Sequence, residues 1–179
     1  METVSEIFGK ALQKDENAFE ELIKPLQKPV YIFLLRMGIN AEDCKDICAN
    51  VFIKVFLNIG KCRDARGFAP WVFAIARNES ADFFRKNKLK TRALTREDID
   101  FSPGPEEEYI EKERAAQLIN AVNALKPRLR AFIVLRDIEG FSYENIAEIT
   151  GVSIGTVKSR ISRARAALAA NLSLIEKVT

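Results

Sequence analysis

The 179-residue chain contains no histidine. That removes the commonest general base and a frequent zinc ligand, and no phosphate-cradling glycine loop or nucleophile elbow stands in its place. The sequence therefore predicts no enzyme activity, no metal, no cofactor and no small-molecule substrate. Cysteine is scarce too. Cys44, Cys48 and Cys62 are odd in number, two of them lie a helical turn apart, and three thiols without a fourth ligand make a poor zinc site. Reduced thiols, buried or idle, are the expectation. No apolar run is long enough to cross a bilayer, and the acidic, cap-like start METVSE is unlike a signal peptide, so the reading is a soluble, cytoplasmic protein. A large charge imbalance is also missing. With 28 Lys and Arg against 25 Asp and Glu the net charge is +3, so affinity for nucleic acid has to come from where cations sit.

What is present is helical periodicity. The 47% hydrophobic content is ample for one domain or two small ones, and the spacing predicts an all-α fold. Apolar positions from Ala11 to Met37 recur at helical intervals, with Pro25 and Pro29 read as kinks or boundaries. A second pattern begins at Ala41, where Ile47, Val51, Val55 and Ile59 recur every four residues behind acidic first turns at Glu42, Asp43 and Asp46. Those acids suit a helix dipole, and they equally suit a partner-docking face. Residues 58–69 read as a polar connecting loop carrying Lys61, Arg63 and Arg66. From Pro70 to Lys88 another helix interleaves Trp71, Phe83 and Phe84 with Arg77, Asn78, Arg85 and Lys86. Aromatics among cations can stack unpaired bases and hold their phosphates, although at helical spacing they are more often core.

Between Arg85 and Glu113 the charge changes sign, from a run of cations ending at Arg96 to a run of acids, with Ser102, Pro103, Gly104 and Pro105 in the middle. This marks a flexible linker and two small helical domains, at 1–90 and 109–179 with 91–108 between them. In the second, a helix is predicted to reach Lys126, another to run from Pro127 to Ile138, and Gly140 to stop it.

The stretch from Phe141 to Arg165 reads as a DNA-binding helix-turn-helix. Ser142 is a cap, Gly151 allows the positive φ of a tight exit, and Ser153 or Thr156 caps the next helix. On that helix Val157, Ile161, Ala164 and Leu168 form a narrow apolar stripe facing its partner, while Lys158, Ser159, Arg160, Ser162, Arg163 and Arg165 occupy the flanks and far side. The alternative is a helical hairpin with a solvated basic face.

Three segments, ANVFIKVF (49–56), PWVFAIARNESADFFRK (70–86) and the long run from Leu125 to Leu168, resemble in order and spacing the extracytoplasmic-function (ECF) group of bacterial sigma-70 factors. The resemblance covers nearly the whole chain. It implies a transcription initiation factor that binds core RNA polymerase and promoter DNA and is restrained by an anti-sigma factor, in some relatives at the membrane. It implies polymerase docking through Asp43, Asp46, Asn50 and Lys54. Opening of the downstream promoter element would fall to Lys61, Arg63, Arg66, Trp71, Arg77, Asn78, Arg85 and Lys86. Reading of the upstream element would fall to Ser153, Thr156, Lys158, Ser159, Arg160 and Arg163. The chain departs from many relatives at Ala49, Asn50, Phe56 and Ala74, which bears on the details of docking and of the downstream contact. The rival reading is a stand-alone helix-turn-helix regulator whose first domain dimerises or senses a ligand.

Overall fold

The computed structural model describes residues 3–87 and 117–176, and side chains as far as 173. Among the described residues every regular element is helical, as expected of an all-α chain. Helix α1, Val4–Leu12, opens on a capping box: the Thr3 side chain accepts from the Glu6 amide while the Glu6 carboxylate accepts from the Thr3 amide. It buries Ile7, Phe8 and Ala11. Lys14 then takes a left-handed φ of 66°, and Asp15 caps α2 by accepting from the Ala18 amide at 2.9 Å. Helix α2, Glu16–Arg36, runs through Pro25 and Pro29, which therefore do not bound it. The two prolines are four residues apart on one face, exposed and half-buried, so the carbonyls that lose a donor open toward water.

Gly38, with φ 92°, turns the chain, and Asn40 caps α3, Ala41–Asn58, by accepting from the Asp43 amide at 2.9 Å. Its buried residues Cys44, Ile47, Val51 and Val55 follow the predicted stripe. A 3-10 turn at Ile59–Lys61 and a short loop lead to α4, Phe68–Asn87. That helix begins two residues earlier than predicted, so Pro70 lies inside the first turn, where its missing N–H is not needed. Edge-to-face rings, Phe8 on Phe68 at 5.9 Å and Phe33 on Phe73 at 5.5 Å, fill the space among these helices.

The linker read at 91–108, with its charge reversal, lies outside the described residues. Beyond it, α5 is described over 117–123. Helix α6, Pro127–Ile133, does not continue as an α-helix to Ile138. Val134–Ile138 form a wide π turn in which the Glu139 amide donates to the Val134 carbonyl at 2.9 Å, and Gly140 at φ 74° ends it. Helix α7, Tyr143–Thr150, is capped by Ser142, whose hydroxyl accepts from the Asn145 amide at 3.1 Å, and is closed by Gly151 in the left-handed region at φ 68°. Helix α8, Ile154–Glu176, buries Val157, Ile161 and Ala164 against α6 and α7. Its far end packs as well: Asn171 Nδ2 donates to the Ala121 carbonyl of α5 at 3.1 Å. The two halves are in contact, because α7 also lies against α4 and the buried residues of both halves join in one cluster.

Candidate functional site

Three surfaces carry the chemistry. On α8 the question of the cap is resolved for Ser153, whose hydroxyl accepts from the Thr156 amide at 3.3 Å and shares a 2.9 Å hydrogen bond with the Thr156 hydroxyl. Lys158, Ser159 and Arg163 are exposed, as is Ser162, and the Ser159 hydroxyl is turned back onto the Thr156 carbonyl at 3.0 Å. Arg160 is half-buried, its guanidinium 5.3 Å from the centre of the Phe132 ring, which leaves it less free than its neighbours. Arg165 is held by Asp137 of the π turn, Nε to Oδ2 at 3.1 Å and Nη2 to Oδ1 at 2.5 Å, and that hydrogen-bonded carboxylate raises its pKa. The presented face is thus a row of hydroxyls and cations at the start of a helix whose opposite stripe is core.

The second surface is a cleft of about 340 Å³ between α3 and α4, lined by Lys54, Asn58, Lys61, Trp71, Ile75, Asn78, Glu79 and Asp82. Its walls follow from spacing: positions 71, 75, 78 and 82 fall on one side of α4. Trp71 is half-buried, packing on Phe68 at 6.2 Å between ring centroids while lining the cleft, so it is core and wall at once. Lys54 crosses from α3 to pair with Glu79, and Arg85 pairs with Asp82 at 3.0 Å at the far end. Of the residues assigned to the downstream contact, the structure gathers Lys61, Trp71 and Asn78 at the cleft. Arg63 and Arg66 stand exposed on the loop beside it, which is shaped by the Gly67 amide donating to Asp64 Oδ1 at 2.8 Å, and Lys86 is exposed near the end of α4.

Arg77 is elsewhere. It is half-buried on the side of α4 facing α7, and donates to the Ile149 carbonyl at 3.4 Å and to the Asn78 side chain at 3.3 Å. Desolvation lowers its pKa, and the guanidinium of Arg160 lowers it further. Asn58, Glu79 and Asp82 were not singled out by sequence. Their signal was the side of α4 that Trp71 and Asn78 share, together with the last residue of α3.

The third surface is the outer side of α3. Asp46 and Asn50 are exposed, whereas Asp43 is half-buried and tied to Asn40, whose Nδ2 donates to it at 2.7 Å. Lys54 is turned toward the cleft by Glu79. Sequence reasoning missed Ile53 and Leu57, 56% and 67% exposed, which continue the side of Asp46 and Asn50 at intervals of three and four. They stood out only as apolar residues off the buried stripe. The cysteines are free thiols, and burial pushes the pKa of Cys44 up to about 12, with Cys48 and Cys62 raised in the same way. Among the described residues no cluster of metal-ligating side chains occurs, and no helix is long and apolar enough to cross a membrane.

This arrangement, a basic helix-turn-helix and a polar-aromatic cleft, agrees with similarity to known proteins. Family models for sigma-70 region 2 and sigma-70 region 4 match residues 22–90 and 115–168. The chain is 35% identical over 153 residues to the ECF RNA polymerase sigma factor SigE of Mycolicibacterium smegmatis, covering 83% of this chain and 59% of that relative. It is 31% identical over 170 residues to the RNA polymerase sigma-H factor of Pseudomonas aeruginosa, covering 86% of each. It is 30% identical to the ECF RNA polymerase sigma factor SigW of Bacillus subtilis over 165 residues, 86% of this chain and 88% of the relative. Among solved structures, the sigma factor RpoE of Bartonella quintana in complex with the anti-sigma factor NepR aligns with a TM-score of 0.71 at 25% identity, over 87% of this chain and 96% of that one. CnrH in complex with the cytosolic domain of CnrY shares the fold, with a TM-score of 0.73 at 24% identity over 96% and 99%. The chain belongs to the ECF group of sigma-70 RNA polymerase sigma factors.

Proposed function

We propose a division of labour by which this sigma factor directs core RNA polymerase to its promoters. The second half, 109–179, reads the upstream element: α8 enters the major groove, Lys158, Ser159 and Arg163 meet bases and phosphates, and Ser153 and Thr156 fix the helix start against the backbone. The first half, 1–90, docks on the polymerase through the outer side of α3, with Asp46, Asn50, Ile53 and Leu57 forming a polar-and-apolar strip. It opens the downstream element at the α3–α4 cleft. The observation that carries this reading is the cleft itself. Trp71 offers an aromatic ring, Asn58 and Asn78 offer amides that can donate and accept, and Lys61 with Arg63 and Arg66 supplies cations for the backbone of a single strand. Flipping a base costs a few kcal/mol, which stacking and phosphate contacts offset.

The chemistry of RNA synthesis belongs to the polymerase, and this subunit contributes recognition alone. It works in the cytoplasm, and an anti-sigma factor, as found with the sigma factor RpoE, holds it inactive until released. Run-off transcription with core polymerase over a promoter library tests the reading, with promoter-dependent transcripts expected. Tight operator binding by the chain alone, without any response of the polymerase, would instead identify a stand-alone regulator.

A further inference from the structure

The cations of α8 are not all alike. Lys158, Ser162 and Arg165 follow one another at intervals of four and three on a single flank of the helix, and all three are exposed. Arg165 stands two turns beyond Lys158, about 10.5 Å along the axis. A helix that enters the major groove by its first turns reads bases there and carries its later turns out past the sugar-phosphate wall, so a cation this far from the start is placed for a phosphate. Yet Arg165 meets a carboxylate of its own chain. Nε donates to Asp137 Oδ2 at 3.1 Å and Nη2 to Oδ1 at 2.5 Å, the two-pronged geometry in which a guanidinium takes a carboxylate as readily as a phosphate. Among the described residues no other cation of α8 has a carboxylate within ion-pair distance.

The π turn fixes where this carboxylate stands. Arg136, its neighbour, turns the other way, donating through Nη1 to the Phe141 carbonyl at 2.8 Å and lying 4.9 Å from the centre of the Tyr143 ring. Consecutive residues of one turn thus clasp the start of α7 and the flank of α8. The side chains of Arg165 and Asp137 are 52% and 34% exposed, and an ion pair so open to water adds little to stability. Its larger effect is on the charge that a duplex meets. Alone, Arg165 would add one positive charge to those of Lys158 and Arg163; paired, it adds none.

We propose that Asp137 is a positioning residue, which holds Arg165 off the DNA backbone and cancels its charge, so that the chain by itself has a low affinity for duplex of any sequence. The proposal rests on α8 meeting duplex DNA, as read above. Preference for a promoter is a ratio, unaffected by a contact made equally to all sequences, but the share of chains taken up by arbitrary duplex does depend on such a contact. One phosphate contact fewer leaves more of this subunit free to meet the polymerase.

The experiment follows binding of the full chain to a mixed-sequence duplex of about 30 base pairs by fluorescence anisotropy over a salt series. Wild type, Asp137→Asn and the double variant Asp137→Asn with Arg165→Gln are compared, and far-UV circular dichroism establishes that each keeps its helices. A phosphate contact contributes about 0.9 to the slope of log K against log salt. Expected for Asp137→Asn are a slope steeper by about 0.9 and binding about eightfold tighter at about 0.1 M salt, the worth of one such contact. The double variant, in which neither charge remains, should match the wild type. Asp137→Ser repeats the measurement should Asp137→Asn fail to fold. An unchanged slope in Asp137→Asn overturns the proposal. So does a double variant as steep as the single one, because the gain then does not come from Arg165, and so does one shallower than the wild type, because Arg165 then meets phosphate while paired. Wild-type binding without salt dependence overturns the DNA-facing reading of α8 together with the proposal. A slope lowered by Arg163→Gln but unmoved by Asp137→Asn overturns the proposal alone.

Discussion

Two glycines in left-handed conformations isolate what Arg130 adds to stability. Gly151 has φ 68° and open space where a Cβ would stand, while Gly38 has φ 92° and the Arg130 guanidinium there. Gly151→Ala carries only the left-handed penalty of about 1–2 kcal/mol. The smaller conformational freedom of the unfolded alanine chain offsets about 0.4–1 kcal/mol of that. The net loss is about 1 kcal/mol. Arg130 of α6 donates through Nη1 to the Met37 carbonyl at 2.5 Å, so Gly38→Ala carries the same backbone cost and also pushes Nη1 off that carbonyl, a hydrogen bond to a charged group worth about 1.5–3 kcal/mol. Its total is about 3 kcal/mol. Urea unfolding followed by circular dichroism measures both, and with an m-value of about 2 kcal/mol/M the two midpoints should differ by about 1 M. In an Arg130→Ala background the cost of Gly38→Ala should fall to that of Gly151→Ala, since the group it displaces is gone. Equal costs for the two glycine variants, within about 0.5 kcal/mol and with Arg130 intact, would refute the contact between Gly38 and Arg130.

Other expectations are independent of that contact. Arg163→Ala should weaken binding of an upstream-element duplex by about 1–3 kcal/mol and relax base preference if it reads a base, or flatten the log-log salt dependence by about one unit if it meets a phosphate. Titration of binding against salt separates the two, and an unchanged affinity and slope would remove Arg163 from the interface. Ser142→Ala should lower the stability of the second half by about 1 kcal/mol, read as an earlier urea midpoint, because the Asn145 amide loses its acceptor. For the thiols the native pKa lies above the unfolded one, so they stay protonated in the fold where the unfolded chain ionises. Their contribution to stability is whole below about pH 8.5 and declines as pH rises, for Cys44 until about 12. Iodoacetamide at pH 8 should accordingly leave Cys44 unlabelled in the native protein, and rapid labelling would contradict its burial.

Sequence periodicity reports that a face is buried, not what buries it, and the outcomes divide along that line. The Ser142 cap, the left-handed Gly151 and the stripe of Val157, Ile161 and Ala164 are local, and all were legible. So was the buried stripe of α3 at Ile47, Val51 and Val55, although its Asn40 cap stood out only as the end of the preceding pattern. Of the two alternatives for Pro25 and Pro29, the boundary fails, because a proline costs a helix less where the freed carbonyls open to water, and exposure is not visible in a dipeptide. The capping box of α1 was half seen, since a nine-residue helix shows too few turns to establish a period. Of the residues expected at the downstream contact, Lys61, Trp71 and Asn78 share one cleft. Arg77 was grouped with them by chemistry although the helix turns it roughly 100° away from its neighbour Asn78. Arg130 and Gly38 are 92 residues apart in sequence. Nothing local distinguishes a cation that surfaces a helix from one that closes two halves of a molecule.

The π turn at Val134–Ile138 sets a bearing. A π turn holds one residue more than the α turn it replaces, so deleting any one residue there would let α6 run straight while swinging everything after it by about 100°. The cations of α8 would rotate away from whatever they face, and α8 would lose its packing on α6, which precedes the turn. The direction in which this protein presents its recognition helix is therefore kept by a count of residues, and a polar substitution at the exposed Ile138 should be tolerated where a change of length is not.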